Sequence, residues 1–292
     1  MKYDIRLKIV YEYRSAVIDA RHLLRVRPVS DAAQTARNVR VVIEPRAGEH
    51  QRDGDFFGND VDTIAFFVPQ TELCVVMEAV VAVQRARPRL ETTPDIETLA
   101  SDALATRSAN GASPLHHLGP SRRIAPFADL TAYVAETLVE DARPAGLAVM
   151  ALTKRIREEF AYDPAATSVG TSVAEAFAQK RGVCQDFSHV MIAGLRGNGI
   201  PARYVSGFLR TEPPKGQPRL EGADAMHAWV DVWLGDDAGW VGFDPTNGIV
   251  AGDDHIVVAV GRDYSDALPI AGSFVTAGPQ KTDHFVDVIP IG

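Results

Sequence analysis

Apolar and polar residues change places at almost every step of "YDIRLKIVYEY" near the start of the chain. That period of two predicts a strand with one face on a core. Shorter β-branched or apolar runs follow: "HLLRVRPV", "NVRVVIEP", "DTIAFFVP" and "LCVVMEAVVAV". Between two of them, "DFFGNDVD" carries Gly58-Asn59, two residues that tolerate positive φ and so signal a turn. Residues 1–90 therefore predict an antiparallel β domain built from hairpins.

The period then lengthens. "PDIETLASDALA" has helical spacing and an acidic first turn, and "SANGASPLHHLGPSRRIAP" is dense in breakers and reads as loop. "DLTAYVAETLVE" is a helix expected to be capped by Asp129. It is followed by "PAGLAVMALTKRIREEFAY", with Pro144 near its first turn, and by "TSVAEAFAQKRG", expected to stop at Gly182. After one more helix, "CQDFSHVMIAGLRGNG", strands return as "ARYVSGFL", "MHAWVDVWL", "WVGFDP", "HIVVAVG" and "HFVDVIPI". The expected organisation is α+β: a β domain over 1–90, a helical and loop connection over 91–140, and a mixed helix-and-strand core over 141–292.

Composition narrows the function. The formal net charge is −8 over 292 residues, and no basic stripe stands out, so a nucleic-acid partner is not expected. The chain has no run of about 18 apolar residues, so no membrane partner is expected. The first residues mix charge with apolar positions and do not resemble a secretory signal. Two cysteines do not make a disulfide framework, and reduced thiols fit a cytoplasmic location. No Cys/His cluster has zinc spacing, and adjacent His116 and His117 do not converge readily on one ion. Neither a metal nor a cofactor is expected.

Cys184 lies at or beside the first residue of its helix, where unpaired N–H groups favour an anion. It also shares a helical face with Phe187, Met191 and Leu195, so this helix alone leaves two readings open: a nucleophile, or a small residue closing an apolar stripe. His189 is five residues on and faces another side, which suits packing or surface better than proton transfer. His227 belongs to "MHAWVDVWL". There Met226, Ala228, Val230, Val232 and Leu234 form an apolar face, and His227, Trp229, Asp231 and Trp233 form the other. The indole of Trp229 would shelter the imidazole.

The short "GDDAG" turn makes the next strand a hairpin partner. If Leu234 pairs with Gly239, paired residue numbers sum to 473, and Asp244 falls opposite Trp229, diagonal to His227 on the same face. An even sum would turn Asp244 to the other face. The odd register is expected. Cys184, His227 and Asp244 would then supply a thiol nucleophile, a general base and acid, and a carboxylate that orients the imidazole.

"RGVCQDFSHVMIAGLRGNGIPARYVSGFL", "DAMHAWVDVWL" and "GWVGFDPTN", in that order, resemble the transglutaminase-like core of bacterial cysteine proteases within the papain-like superfamily. "DFFGND" resembles the N-terminal β domain accompanying that family, and "VGRDYSDALPIAGSF" its C-terminal segment. The resemblance implies a Cys184–His227–Asp244 triad, a helix carrying the cysteine packed on an antiparallel sheet, and a thioester formed from an amide bond of a peptide or protein substrate. It implies supporting places for Tyr162, Gln185, Asp186 and Trp229, with Tyr162 either an oxyanion donor or structural. The three tryptophans fall between 229 and 240, so the upstream indole of animal transglutaminases has no counterpart, nor do their calcium sites. Hydrolysis leads as the expected reaction. Transamidation of glutamine and a non-catalytic peptide-binding module are the alternatives. Arg203 is expected to bridge helix and sheet, Cys74 to be a buried strand thiol, and the loop Thr211 to Gly222 to border the substrate groove.

Overall fold

The structure, a computed structural model, describes residues 1–138, 143–211 and 224–291. Strands β1 (Lys2–Leu24), β2 (Gln34–Glu44), β3 (Glu49–Gly54), β4 (Asp60–Phe66) and β5 (Gln70–Val83) come first. Helices α1 (Ile96–Ala105), α2 (Ala128–Leu138) and α3 (Ala145–Glu159) follow. The two-residue strand β6 (Ala161–Tyr162), α4 (Val173–Gln179), β7 (Arg181–Gly182) and α5 (Cys184–Gly197) come next. The chain ends in β8 (Ala202–Leu209), β9 (Ala225–Trp233), β10 (Trp240–Asp244), β11 (Ile249–Val250), β12 (His255–Gly261), β13 (Ile270–Val275) and β14 (Gln280–Pro290).

The expected alternation is visible in β1, where Tyr3, Ile5, Leu7 and Ile9 are buried and their neighbours face out. Its 23 residues serve two neighbourhoods. The first half lies between β5 and β14, and the second between β4 and β13. Here the structure differs from the expected division of the chain. The last two strands, assigned above to the 141–292 core, hydrogen-bond to β1, because the apolar positions Val286 and Val288 join Ile5 and Leu7 in one cluster. Asp224, buried at the head of β9, accepts from the backbone N–H groups of Thr211 (2.7 Å) and Val288 (2.6 Å), tying that strand to β14. Apart from Thr211, the expected groove loop Thr211 to Gly222 lies outside the described residues.

The second sheet is antiparallel, in the order β11-β10-β9-β8-β12. Ala228, Val230 and Val232 enter the main core with Val190, Met191 and Leu195 of α5, so the cysteine helix packs on this sheet as expected. Trp229 enters a separate cluster with Val205, Ala251 and Val257. Its indole fits because a Cβ on Gly207 would stand 2.7 Å from its ring. The fold is α+β, as the patterning predicted.

Local details differ in two helices. Asp129 sits inside the first turn of α2 rather than at a cap. Helix α4 ends before Gly182, at Lys180, which takes a left-handed conformation (φ 48°). Cys74 also departs from expectation. It is half-exposed, because it is in phase with Glu72 and Glu78 on the outward side of β5, while Leu73, Val75 and Met77 fill the core.

Candidate active site

Three local devices present Cys184 as the first residue of α5. Strand β6 pairs in parallel with β7, setting Tyr162 beside Gly182. Asp186, in the first turn, accepts from the Val183 N–H (2.9 Å) and the Thr167 hydroxyl (2.6 Å), so its carboxylate is occupied in holding the helix start. Gly182 leaves room for it, since a Cβ there would lie 2.4 Å from the Asp186 carboxylate. The Gln185 amide reaches the Val169 carbonyl at 3.5 Å, a marginal contact tying the same turn to the preceding loop. Cys184 itself is half-buried.

The β9–β10 register has the odd sum. Trp240 pairs with Trp233 and Phe243 with Val230, the Leu234 N–H donates to the Gly239 carbonyl, and Asp244 continues opposite Trp229. His227 Nε2 lies 2.8 Å from Asp244 Oδ2. The imidazole also interacts with Cys184. Burial disfavours the charged ring, but hydrogen bonds with Asp244 and Cys184 outweigh it and push the His227 pKa up to about 10. Trp229 is buried, with its ring 6.2 Å from that of His227 in a stacked arrangement and 5.2 Å from His255 edge-on.

Asp244 is fully buried and saturated with donors. Oδ1 accepts from the Thr246 and Asn247 N–H groups at 2.9 and 3.1 Å. Oδ2 receives the Asn247 side-chain amide at 2.6 Å, His227 at 2.8 Å and His255 Nε2 at 3.1 Å. Burial alone would raise its pKa, yet the hydrogen bonds from His227, His255 and Asn247 hold it well below the usual carboxylate range. His227, Asp244 and His255 are also close enough to suggest a metal-ligand group. However, both imidazoles turn their Nε2 atoms to one carboxylate oxygen in hydrogen-bond geometry, which does not leave their lone pairs converging on an ion.

His255 and Asn247 were missed by sequence reasoning. Asn247 had a signal, because an Asp followed by Pro-Thr-Asn makes a turn whose amides fold back on the Asp side chain. His255 had none, since it reaches Asp244 from the far side of the sheet. His189 is buried away from Cys184, accepts from the Tyr264 N–H at 3.1 Å and is kept neutral by burial, its pKa lowered to about 4. Tyr162 is exposed, and partial desolvation together with its nearness to Cys184 raises its pKa. Arg203 joins β8 to β9 through Asp231 at 2.9 Å and stacks on Trp240, rather than bridging helix and sheet. A cavity of about 990 Å³ lies elsewhere, lined by Trp229, Trp240, Arg85 and Arg203 but not by Cys184, His227 or Asp244.

Residues 132–245 match the model of the transglutaminase-like superfamily, and residues 3–82 that of the bacterial transglutaminase-like N-terminal region. The chain belongs to the transglutaminase-like superfamily. An uncharacterised Mycobacterium tuberculosis protein is 31% identical over 301 residues, covering 99% of this chain and 93% of its own. One from Mycobacterium leprae is 32% identical over 289 residues, covering 97% and 98%. A Pseudomonas aeruginosa protein-glutamine gamma-glutamyltransferase is 35% identical over 108 residues, 36% of this chain and 16% of that protein. The same fold occurs in the crystal structure of a "Putative Cysteine Protease" from Cytophaga hutchinsonii, with a TM-score of 0.77, 22% identity, and coverage of 99% of this chain and 90% of that one. Membership of the transglutaminase-like superfamily supports a cysteine-dependent enzyme. Among the described residues, no helix is long and apolar enough to cross a membrane.

Proposed function

We propose that this transglutaminase-like protein is a cysteine acyl transferase acting on amide bonds of peptides or proteins, with Cys184 as nucleophile, His227 as general base and acid, and Asp244 as the orienting carboxylate. One observation carries the reading: a buried carboxylate with five donors, one of them a histidine that also interacts with a cysteine at a helix start.

The chemistry follows from the order of contacts. His227 Nδ1 takes the thiol proton, and the sulfur attacks the amide carbonyl carbon. Negative charge builds on the carbonyl oxygen, where the Cys184 backbone N–H and the Tyr162 hydroxyl would donate. The raised pKa of Tyr162 keeps its proton available. The C–N bond then breaks, and the imidazolium returns the proton to the leaving nitrogen. The acyl group stays on sulfur as a thioester. An acceptor, deprotonated by His227, attacks it, the C–S bond breaks, and the thiol is regenerated.

Water as acceptor gives hydrolysis and an amine gives transamidation. Hydrolysis leads, because no tryptophan precedes Cys184 and the Trp240 indole N–H is taken by the Ala112 carbonyl at 2.9 Å. Transamidation is the second reading, favoured by the similarity of the core to the Pseudomonas aeruginosa enzyme. The test is labelling with limiting iodoacetamide across pH, with the adduct mapped by mass spectrometry. Preferential modification of Cys184 below pH 7, diminished by His227→Ala, supports the triad. Equal, slow labelling of both cysteines sinks it in favour of a binding module. A glutamine peptide with a labelled amine then separates the acceptors, by amine incorporated or by ammonia and cleaved peptide released.

A further inference from the structure

We infer that His255 is a positioning residue for the triad: it shares Asp244 Oδ2 with His227, fixing the carboxylate and weakening its pull on the His227 proton. The inference rests on the triad reading above and adds a fourth member to it.

The proton on His255 can be assigned from its surroundings. Its Nδ1 accepts the Gly252 N–H at 3.2 Å, so that nitrogen holds the lone pair and Nε2 holds the hydrogen. Nε2 therefore donates to Asp244 at 3.1 Å as a neutral imidazole. The turn that sets this orientation is clamped from outside. Arg85 Nη1 donates to the carbonyls of Gly252 (3.2 Å) and His255 (3.4 Å), and its backbone N–H to Asp253 (2.9 Å). The ring is buried, with Trp229 edge-on to it. A neutral donor here has no surface role and no metal geometry. What it touches is the oxygen that His227 also uses.

Three donors on Oδ2 divide its charge, and His255 takes one share beside His227 and the Asn247 amide. The carboxylate becomes less basic and holds the His227 proton less tightly. An imidazolium that must give its proton to a leaving amine works better when it is not bound too strongly. The groups that face His227 are Cys184 from α5, Asp244 from the end of β10 and His255 from β12. The Asn247 amide and two backbone N–H groups share Asp244 as well, so removing His255 should change the balance without abolishing it.

Iodoacetate tests this. Its carboxylate is drawn to the imidazolium, so alkylation of Cys184 slows once His227 deprotonates, and the alkaline limb of the rate reports that proton. His255→Phe should move the alkaline limb upward by about one pH unit, and His255→Gln, which restores a neutral N–H donor, should bring it back toward the wild-type position. A purely structural His255 would lower the melting temperature and leave the limb in place, which overturns the inference. His227→Ala separates the two levels. If it leaves alkylation and its pH profile unchanged, the triad itself fails. If it flattens the profile while His255→Phe does nothing, only the role of His255 fails. Nitrogen-15 NMR of the unsubstituted protein needs no variant to fold. His255 should show a protonated Nε2 and a bare Nδ1 at pH 7, and the opposite tautomer or an imidazolium overturns the inference.

Discussion

Cys74 sits in mid-strand on the outward face of β5, in phase with Glu72 and Glu78, whereas Cys184 begins α5 beside a histidine already hydrogen-bonded to a carboxylate. Both thiols are half-buried, so exposure does not separate them. Their electrostatic surroundings do. Burial raises the Cys74 pKa, the nearby Lys8 opposes it, and Glu44 and Glu72 add to the rise. At Cys184 the first-turn carboxylate that could have repelled an anion is turned back onto the Val183 N–H and the Thr167 hydroxyl. The proposal that Cys184 and not Cys74 reacts thus rests on which charges each thiol meets.

The strongest way to break the comparison is to exchange the proposed nucleophile. Cys184→Ala should lower turnover of an amide substrate by about 10⁴-fold or more, while Cys74→Ala retains it. Comparable losses in a peptide-hydrolysis or amine-incorporation assay would erase the distinction. Next comes Asp244→Asn, which keeps the shape but presents an amide to two histidines. Turnover should fall by roughly 10³–10⁴-fold. Asp244→Ala should in addition destabilise the fold by about 3–5 kcal/mol in urea titration, since it strands buried donors. Tyr162→Phe should cost turnover roughly 10²-fold with little change in KM. An unaltered rate would leave Tyr162 only a structural place.

A smaller effect lies in the pH dependence of stability. The folded-state pKa of His227 is raised, so its stabilising contribution is complete below its ordinary value of about 6.5. That contribution is lost as pH rises toward about 10. Asp244 is lowered, so its contribution is present above its ordinary value of about 3.9 and lost on acidification. Melting temperatures should therefore fall on the alkaline side, and His227→Phe should flatten that fall. The smallest expected change is Cys74→Ser, within about 0.5 kcal/mol.

Much of this site was legible because its determinants are local. The face of β9 that carries His227 follows from strand alternation, and the position of Asp244 follows from a short turn that fixes register by parity. His255 was not legible, because strand β12 is separated from β9 by β8 and nothing along the chain announces that neighbour. The return of β14 to β1 was hidden for the same reason, since apolar alternation marks "HFVDVIPI" as a strand without naming a partner, and β13 was not read as a strand at all. Cys74 could have been read correctly, since "ELCVVME" puts it in phase with glutamates.

The long first strand has a consequence for biosynthesis. Lys2 pairs with Ala82 on one side, but Tyr3 waits for Pro290 on the other. During translation at about 5–20 residues per second, one flank of β1 stays open until the final strand has left the ribosome. An open strand edge invites pairing with other chains. A nascent chain stalled before β14 would carry Cys184, His227, Asp244 and His255 and still lack the strand that covers this flank of β1.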